Sequence, residues 1–208
     1  MRADARRNLG RVRAAAREAF AERGLGVPMD EIARRAGVGV GTIYRRFPDK
    51  DALLHDLCLD ALARIAALAR DALAEESDAW EAFVRFMGEA VEKGAGALLP
   101  AIAGRVPVTD EILAARADHD SALSGLVVAA QEAGDLRGDI GAGDIPLLFT
   151  CVTRPVVHAS PEVAATIRRR YLAVILDGLR TEGARSPLPG HPLSQADVDR
   201  LYFEDSRG

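Results

Sequence analysis

The spacing of three small and apolar residues near the start of the chain constrains the fold more than any other sequence feature. Ala33 is followed four residues later by Gly37, and Ile43 comes six residues after that. A small residue lets two helices cross closely, and glycine accepts the left-handed backbone of a tight turn. This spacing predicts a helix-turn-helix, with one helix over 29–36 and a second over 40–46.

The second of these helices is short, basic and aromatic. Seven residues at about 1.5 Å each span about 10 Å, which suits insertion into a major groove about 12 Å wide. Pro48 stops the helix after Phe47, and Asp49 can cap the next one. Any single residue here would also fit a plain interhelical corner with solvated arginines. The full set of residue types at these offsets favours DNA binding.

Charge is distributed unevenly along the 208 residues, although the whole chain has a net charge of −4. Residues 1–50 carry twelve Lys or Arg against six Asp or Glu, whereas residues 51–208 carry fifteen against twenty-five. A basic segment on an acidic body indicates a polyanionic partner at one end of the molecule only. Chance within an arginine-rich composition is the alternative explanation.

Helical periodicity dominates the rest of the chain, and no strand pattern occurs. We expect an all-α protein of nine or ten helices, with a helix-turn-helix domain over 1–49 and a helical ligand-binding and dimerisation domain over 50–208. Its last part, 182–208, is expected to be partly irregular, with a short helix from Ser194. The expected helices cover 5–23, 29–36, 40–46, 50–75, a span from a Ser77 cap to Lys93, a short helix before Pro107, Thr109 to Ala133, 144–158 with an interruption at Pro155, and 161–181.

Several classes of function are disfavoured by what the sequence does not contain. There is no nucleophile motif, phosphate-binding loop or metal-ligand spacing, so we expect no enzymatic activity, no metal and no cofactor. The two cysteines, Cys58 and Cys151, lie far apart in apolar helical contexts, which argues against a disulfide. No secretory signal or membrane span is indicated, so the expected location is the cytoplasm, without membrane contact.

The segments AAAREAFAERG and MDEIARRAGVGVGTIYRRFPDKDALL resemble the amino-terminal domain of the TetR (tetracycline-repressor) family of transcriptional regulators. The resemblance covers about residues 8–57. It implies a three-helix DNA-binding domain, a helical ligand-binding domain, and a homodimer that a small molecule releases from its operator. An operator of double-stranded DNA, a second copy of the chain and an unidentified small molecule are therefore the expected partners.

The resemblance also implies which residues contact DNA. Tyr44 and Lys50 match positions that usually hold phosphates, and the remaining contacts lie along the recognition helix: Val40, Gly41, Thr42, Arg45 and Arg46. Gly39 and Pro28 replace the Ser or Thr that caps these helices in many members, so both caps are expected to be missing. Because Val40 can make only apolar contacts, base readout is expected to depend on the two arginines, with guanine as the target.

The second domain allows two interpretations. In the first, it binds a small molecule among Trp80, Phe83, Met87, Leu98, Ile102, His119, Leu123, Leu126 and Phe149. In the second, these residues are ordinary core, and the domain is only a dimerisation scaffold for a ligand-independent DNA-binding protein. Family resemblance places the dimer interface on the last two long helices, through Leu147, Leu148, Cys151, Val152, Tyr171, Val174, Ile175, Gly178 and Leu179. The alternative for these stripes is that they belong to the core of the monomer.

Overall fold

The computed structural model describes residues 2–102, 104–154, 159–183 and 186–201, and these ranges form ten α-helices. One isolated antiparallel bridge, Leu136 to Arg180, is the β structure in the same ranges. The all-α prediction is confirmed. The helices are α1 (Arg2–Arg23), α2 (Met29–Ala36), α3 (Val40–Arg46), α4 (Lys50–Glu75), α5 (Ala79–Glu92), α6 (Ala95–Ile102), α7 (Asp110–Glu132), α8 (Asp144–Thr153), α9 (Pro161–Leu179) and α10 (Gln195–Asp199).

Five of the ten helices begin where a short polar side chain accepts a backbone hydrogen bond. The Asp49 carboxylate accepts from the N–H of Ala52 at 2.8 Å, and Thr109 caps α7 in the same way. The prediction that Ser77 caps α5 is wrong. The cap is Asp78, whose carboxylate accepts from the N–H of Glu81 at 2.9 Å. Both residue types can cap a helix, and α5 begins at residue 79, so the residue immediately before it takes the role.

The last two long helices differ from the predicted bounds at their ends. α8 ends at Thr153, and the interruption predicted at Pro155 lies outside the described residues. α9 begins at Pro161 as predicted but ends at Leu179, two residues early. Arg180 leaves the helical conformation with ψ of 140° and pairs with Leu136, which explains the earlier end.

Two hydrophobic clusters divide the protein along the length of α4. The lower cluster joins α1, α2 and α3 to the first half of α4, and it also includes Ile102 and Ile112. The upper cluster joins the second half of α4 to α5, α7, α8 and α9. α4 has 26 residues and is about 39 Å long, so it can belong to both clusters. The helix that follows the recognition helix therefore connects the lower cluster to the upper one.

Residues 186–201, here called the C-terminal strap, pack across the loop between α7 and α8. The Leu193 carbonyl accepts from the N–H of Gly143 at 2.9 Å. The N–H of Leu188 donates to the Asp139 carboxylate at 2.7 Å, and Arg137 donates to the Ser186 carbonyl at 2.8 Å. The C-terminal strap, which lies in the segment predicted to be partly irregular, is thus held in place by long-range hydrogen bonds.

Candidate nucleic-acid interface

The turn between α2 and α3 has the geometry that the sequence predicts. Gly37 lies in the left-handed region, with φ of 61° and ψ of 39°. Its N–H donates to Arg34, and the N–H of Val38 donates to Ala33, which closes the end of α2. The Arg11 guanidinium also donates to the Gly37 carbonyl at 2.8 Å. The turn is therefore tied to α1 as well as to α2.

The recognition helix α3 is held by its buried face and presents the opposite face to solvent. Ile43 is 1% exposed and Phe47, at its end, is 2% exposed. Tyr44 is 44% exposed, and both Arg45 and Arg46 are exposed. Val40 and Gly41 are exposed as well, and Thr42 is half-buried. Six of the seven residues that the resemblance assigns to DNA thus lie on α3 and are at least partly accessible, and the seventh, Lys50, is half-buried at the start of α4.

Both predicted missing caps are missing in the structure. Pro28 precedes α2 and Gly39 precedes α3, and neither provides a side-chain hydrogen bond to the helix that follows. Glycine costs only a few tenths of a kcal/mol relative to a polar cap, so the loss at α3 is small. Buried Ile43 and Phe47, rather than a cap, hold α3 in position.

Three of the expected DNA contacts already have partners within the chain. Partial desolvation raises the pKa of Tyr44, and the Asp30 carboxylate raises it further through its charge and a hydrogen bond. Lys50 donates to the Leu25 carbonyl at 2.9 Å, which leaves two of its three protons for another acceptor. The guanidinium of Arg46 is 3.6 Å from the Asp56 carboxylate. These contacts orient the side chains before DNA is bound.

An ion-pair network fixes α1 to α4 behind this surface. Arg13 donates to Asp56 at 2.8 and 2.9 Å and to Asp60 at 2.6 Å. Arg17 donates to the other oxygen of Asp60 at 2.8 Å. The hydrogen bond to Asp56 is the largest of the effects that raise the pKa of Arg13. Bidentate arginine–carboxylate pairs that are partly buried are directional, so they set the angle between the two helices.

Sequence reasoning missed the part of α1 that extends this surface. A groove of about 520 Å³ separates the first half of α1 from α3, and its lining includes Arg6, Asn8, Arg45 and Arg46. Its floor is apolar, with Leu9, Val12, Ile43 and Phe47. Only the packing of α1 beside α3 shows that Arg6 and Asn8 lie next to the recognition helix.

Eight of the nine predicted pocket residues belong to the two hydrophobic clusters. Six of them belong to the upper cluster, and Leu98 and Ile102 belong to the lower one. His119 is 5% exposed, and its Nδ1 lies 2.9 Å from the Asp120 carboxylate. In the upper cluster, the rings of Trp80 and Phe83 stack with their centroids 5.6 Å apart. The six members are Trp80, Phe83, Met87, Leu123, Leu126 and Phe149.

The predicted dimer residues divide between the surface and the core. On α9, Tyr171 is 59% exposed and Val174 is 71% exposed. Gly178 and Cys151 are exposed as well, and Leu147 is half-buried. The other four pack inward: Val152 and Leu179 are buried, and Leu148 and Ile175 are half-buried against the upper cluster. These four stabilise the protomer, so a contact between protomers would use mainly the first five.

Neither a membrane span nor a metal cluster was found in the described ranges. No helix there is long and apolar enough to cross a bilayer. No group of three or more His, Cys, Asp or Glu residues in those ranges could hold a metal ion. Both cysteines are free thiols, with Cys58 buried and Cys151 exposed.

Taken together, a helix-turn-helix with an accessible basic recognition helix on a larger helical domain defines the class of DNA-binding transcriptional regulators. Comparison with known proteins makes the class specific. Residues 12–57 match the family described as "Bacterial regulatory proteins, tetR family". Residues 77–181 match the family described as "Transcriptional regulator SbtR-like, C-terminal domain". The chain belongs to the TetR family, whose members are non-enzymatic DNA-binding transcription factors.

Solved structures agree with this assignment over more than four fifths of the chain. A TetR transcription regulatory protein from Mycobacterium vanbaalenii is 40% identical, with a TM-score of 0.62 over 86% of this chain and 99% of that one. A TetR transcriptional regulator from Streptomyces coelicolor is 31% identical, with a TM-score of 0.59 over 82% of this chain and 97% of that one.

Curated relatives resemble a smaller part of the protein. Helix-turn-helix-type transcriptional regulators of Staphylococcus aureus are 40% identical over 65 residues, which is 31% of this chain and 33% of theirs. The match thus spans one third of the length of these relatives.

Proposed function

We propose that the protein is a homodimeric repressor that binds a two-half-site DNA operator and leaves it when a small molecule binds the second domain. The observation that carries the proposal is the exposed basic face of α3, held by buried Ile43 and Phe47. One helix of seven residues reads too few base pairs for specificity. Two copies reading half-sites one helical turn apart, about 34 Å, would double the number of base pairs read.

Arg45 and Arg46 would read guanine. Arginine donates two parallel hydrogen bonds to guanine O6 and N7, and such a pair contributes about 1–3 kcal/mol of discrimination. Val40 supplies only apolar contact, so the arginines are the best base-reading donors on α3. The test is selection of bound sequences from randomised duplex DNA by the wild type, Arg45→Ala and Arg46→Ala. Relaxed preference at guanine positions supports the assignment, and unchanged preference in both variants removes it.

The dimer would form through the exposed apolar side of α9 with part of α8. Val163, Tyr171 and Val174 are each more than half exposed on one helix and are spaced by eight and three residues, so they share one side. Exposed apolar residues contiguous on one helix face are typical of protein contact sites. We expect Val174→Asp to sediment as a monomer at concentrations at which the wild type is a dimer. Val128→Asp, an exposed valine on α7, is the control and should remain dimeric.

Release by a ligand would work through α4, because this helix belongs to both hydrophobic clusters. His55, near its start, lies 3.2 Å from the Thr109 hydroxyl at the cap of α7. A change in the position of α7 would therefore reach the helix that follows the recognition helix. A coupling free energy of about 1–3 kcal/mol between the two sites would change operator occupancy about 5- to 150-fold.

A ligand-independent scaffold is the second candidate, and the packing of the upper cluster favours it. Phe83, Met87 and Leu123 are completely buried, and Leu126 and Phe149 are 1% exposed. A ligand at these residues would have to separate packed side chains. A thermal-shift screen of small molecules, followed by operator binding at fixed salt, decides between the candidates. A ligand that stabilises the protein and weakens operator binding supports release. Stabilising ligands that leave operator affinity unchanged support the scaffold.

A further inference from the structure

A second groove, separate from both the DNA surface and the upper cluster, lies where α1 meets α4 and α6. Its volume is about 410 Å³, within the usual range for sites that bind small organic molecules. α1 contributes Arg17, Phe20 and Ala21, α4 contributes Arg64, and α6 contributes Leu98. A molecule in this groove would contact the DNA-binding helices and the second domain at the same time.

The floor of the groove is apolar, and its rim carries three cations and two glutamates. Phe20 and Leu98 are buried and form part of the floor. Arg17 and Arg64 lie on the rim and are both half-buried. Lys93 joins them on the rim and pairs with Glu89 at 2.5 Å. An apolar floor beside fixed cations is the pattern expected for a ligand with an apolar body and one anionic end.

The carboxylates around these arginines are too few to balance them. Asp60 accepts from Arg17 and Arg13, and Arg64 is 4.0 Å away from it. One carboxylate thus faces three guanidinium groups, and the second, Asp56, already accepts two hydrogen bonds from Arg13. Burial lowers the pKa of Arg17 first, and the charge of Arg64 lowers it further. Within this network three guanidinium groups share two carboxylates, so a carboxylate that enters the groove can accept from Arg17 and Arg64.

Two glutamates, Glu18 and Glu92, also line the groove, but both are exposed. Water and salt screen exposed charges more strongly than half-buried ones. The charges of Arg17 and Arg64 are therefore screened less than those of the two glutamates.

We propose that this groove binds a small amphipathic carboxylate, with the carboxylate at Arg17 and Arg64 and the apolar chain over Phe20 and Leu98. No lining residue of this site belongs to the upper cluster, and the site shares only Leu98 with the nine residues predicted for a ligand pocket. Binding is measured without DNA, so the proposal does not depend on repression or on operator release.

Isothermal titration calorimetry of the full chain with sodium decanoate, well below micelle formation, tests the proposal. Arg64→Gln removes the cation whose contact with Asp60 is the longest, and Ala21→Trp fills the groove from an exposed position on α1. We expect decanoate to bind the wild type once per protomer and to bind each variant at least ten times more weakly. Decanol, which has the same chain without the charge, should bind the wild type at least ten times more weakly.

Two matched controls distinguish this groove from other sites. Arg70→Gln removes an exposed arginine of α4 that pairs with Asp118, and Ala67→Trp adds a ring at an exposed position of the same helix. Both should keep wild-type affinity. The proposal is overturned if decanoate does not bind, if decanol binds equally well, or if neither Arg64→Gln nor Ala21→Trp weakens binding. Far-UV circular dichroism and melting of every variant verify the fold, and the Ala21→Trp result keeps the test decisive should Arg64→Gln fail to fold.

Discussion

Replacing Gly37 with alanine tests whether the turn before the recognition helix depends on glycine for two separate reasons. The first reason is the backbone, since φ of 61° lies in the left-handed region. The second is space, since a Cβ at this position would overlap the guanidinium of Arg11. That guanidinium donates to the Gly37 carbonyl at 2.8 Å, so it would have to move and lose the hydrogen bond.

The expected loss of stability follows from these two contributions. A left-handed conformation costs an L-residue about 1–2 kcal/mol. The hydrogen bond from Arg11 contributes about 0.5–1.5 kcal/mol. Alanine also lowers the conformational entropy of the unfolded chain, which offsets about 0.4–1 kcal/mol of this loss of stability. We therefore expect Gly37→Ala to lower the free energy of unfolding by about 0.5–3 kcal/mol.

Urea unfolding followed by far-UV circular dichroism measures this difference, with all proteins at the same protomer concentration because dimerisation affects the midpoint. Gly24→Ala is the matched control: φ at Gly24 is 71°, and nothing lies within 4 Å of an added Cβ. It should show the backbone cost alone. The reasoning is refuted if Gly24→Ala is as destabilising as Gly37→Ala. It is also refuted if Arg11→Ala and Gly37→Ala are simply additive in the double variant.

Three further predictions concern other parts of the molecule. Hydrogen bonds from Arg137 and the backbone hold the pKa of Asp139 far below its usual range. The contribution of Asp139 to stability should therefore be complete above about pH 4 and should be lost as the pH falls further. The difference in urea midpoint between wild type and Asp139→Asn should be constant from pH 5 to 8 and should shrink in acid. Burial raises the pKa of Cys58 to about 11. The Cys151→Ser variant should therefore release no thionitrobenzoate from Ellman's reagent while folded and one equivalent per chain in urea. Fast release from the folded variant would contradict the burial of the Cys58 thiol. Asp49→Ala should cost about 1 kcal/mol because α4 loses its cap, and an unchanged urea midpoint would show that this cap is not needed.

Local signals in the sequence predicted the helix-turn-helix and most helix ends correctly. Gly37, Asp49 and Thr109 act on backbone groups within four residues of themselves, so their roles follow from residue type and spacing alone. The error at Ser77 shows the limit of such signals, since two adjacent residues could both cap α5 and only the structure distinguishes them.

Long-range packing is what the sequence could not provide. Val152 and Val174 lie on stripes with the same helical spacing, yet one is buried in the protomer and the other is 71% exposed. Periodicity shows that a helix has an apolar side but not what covers it. The C-terminal strap depends in the same way on contacts such as that between Leu188 and Asp139, 49 residues apart.

DNA binding by paired α3 helices is the central claim, and a titration of selected operator DNA tests it most directly. Fluorescence anisotropy at several salt concentrations should show two protomers per operator and an affinity that falls as salt rises. The Arg45→Ala and Arg46→Ala variants should bind at least fivefold more weakly, whereas Arg70→Ala, on the far part of α4, should bind as the wild type does. Equal affinity of all four proteins, or one protomer per operator, would contradict the account.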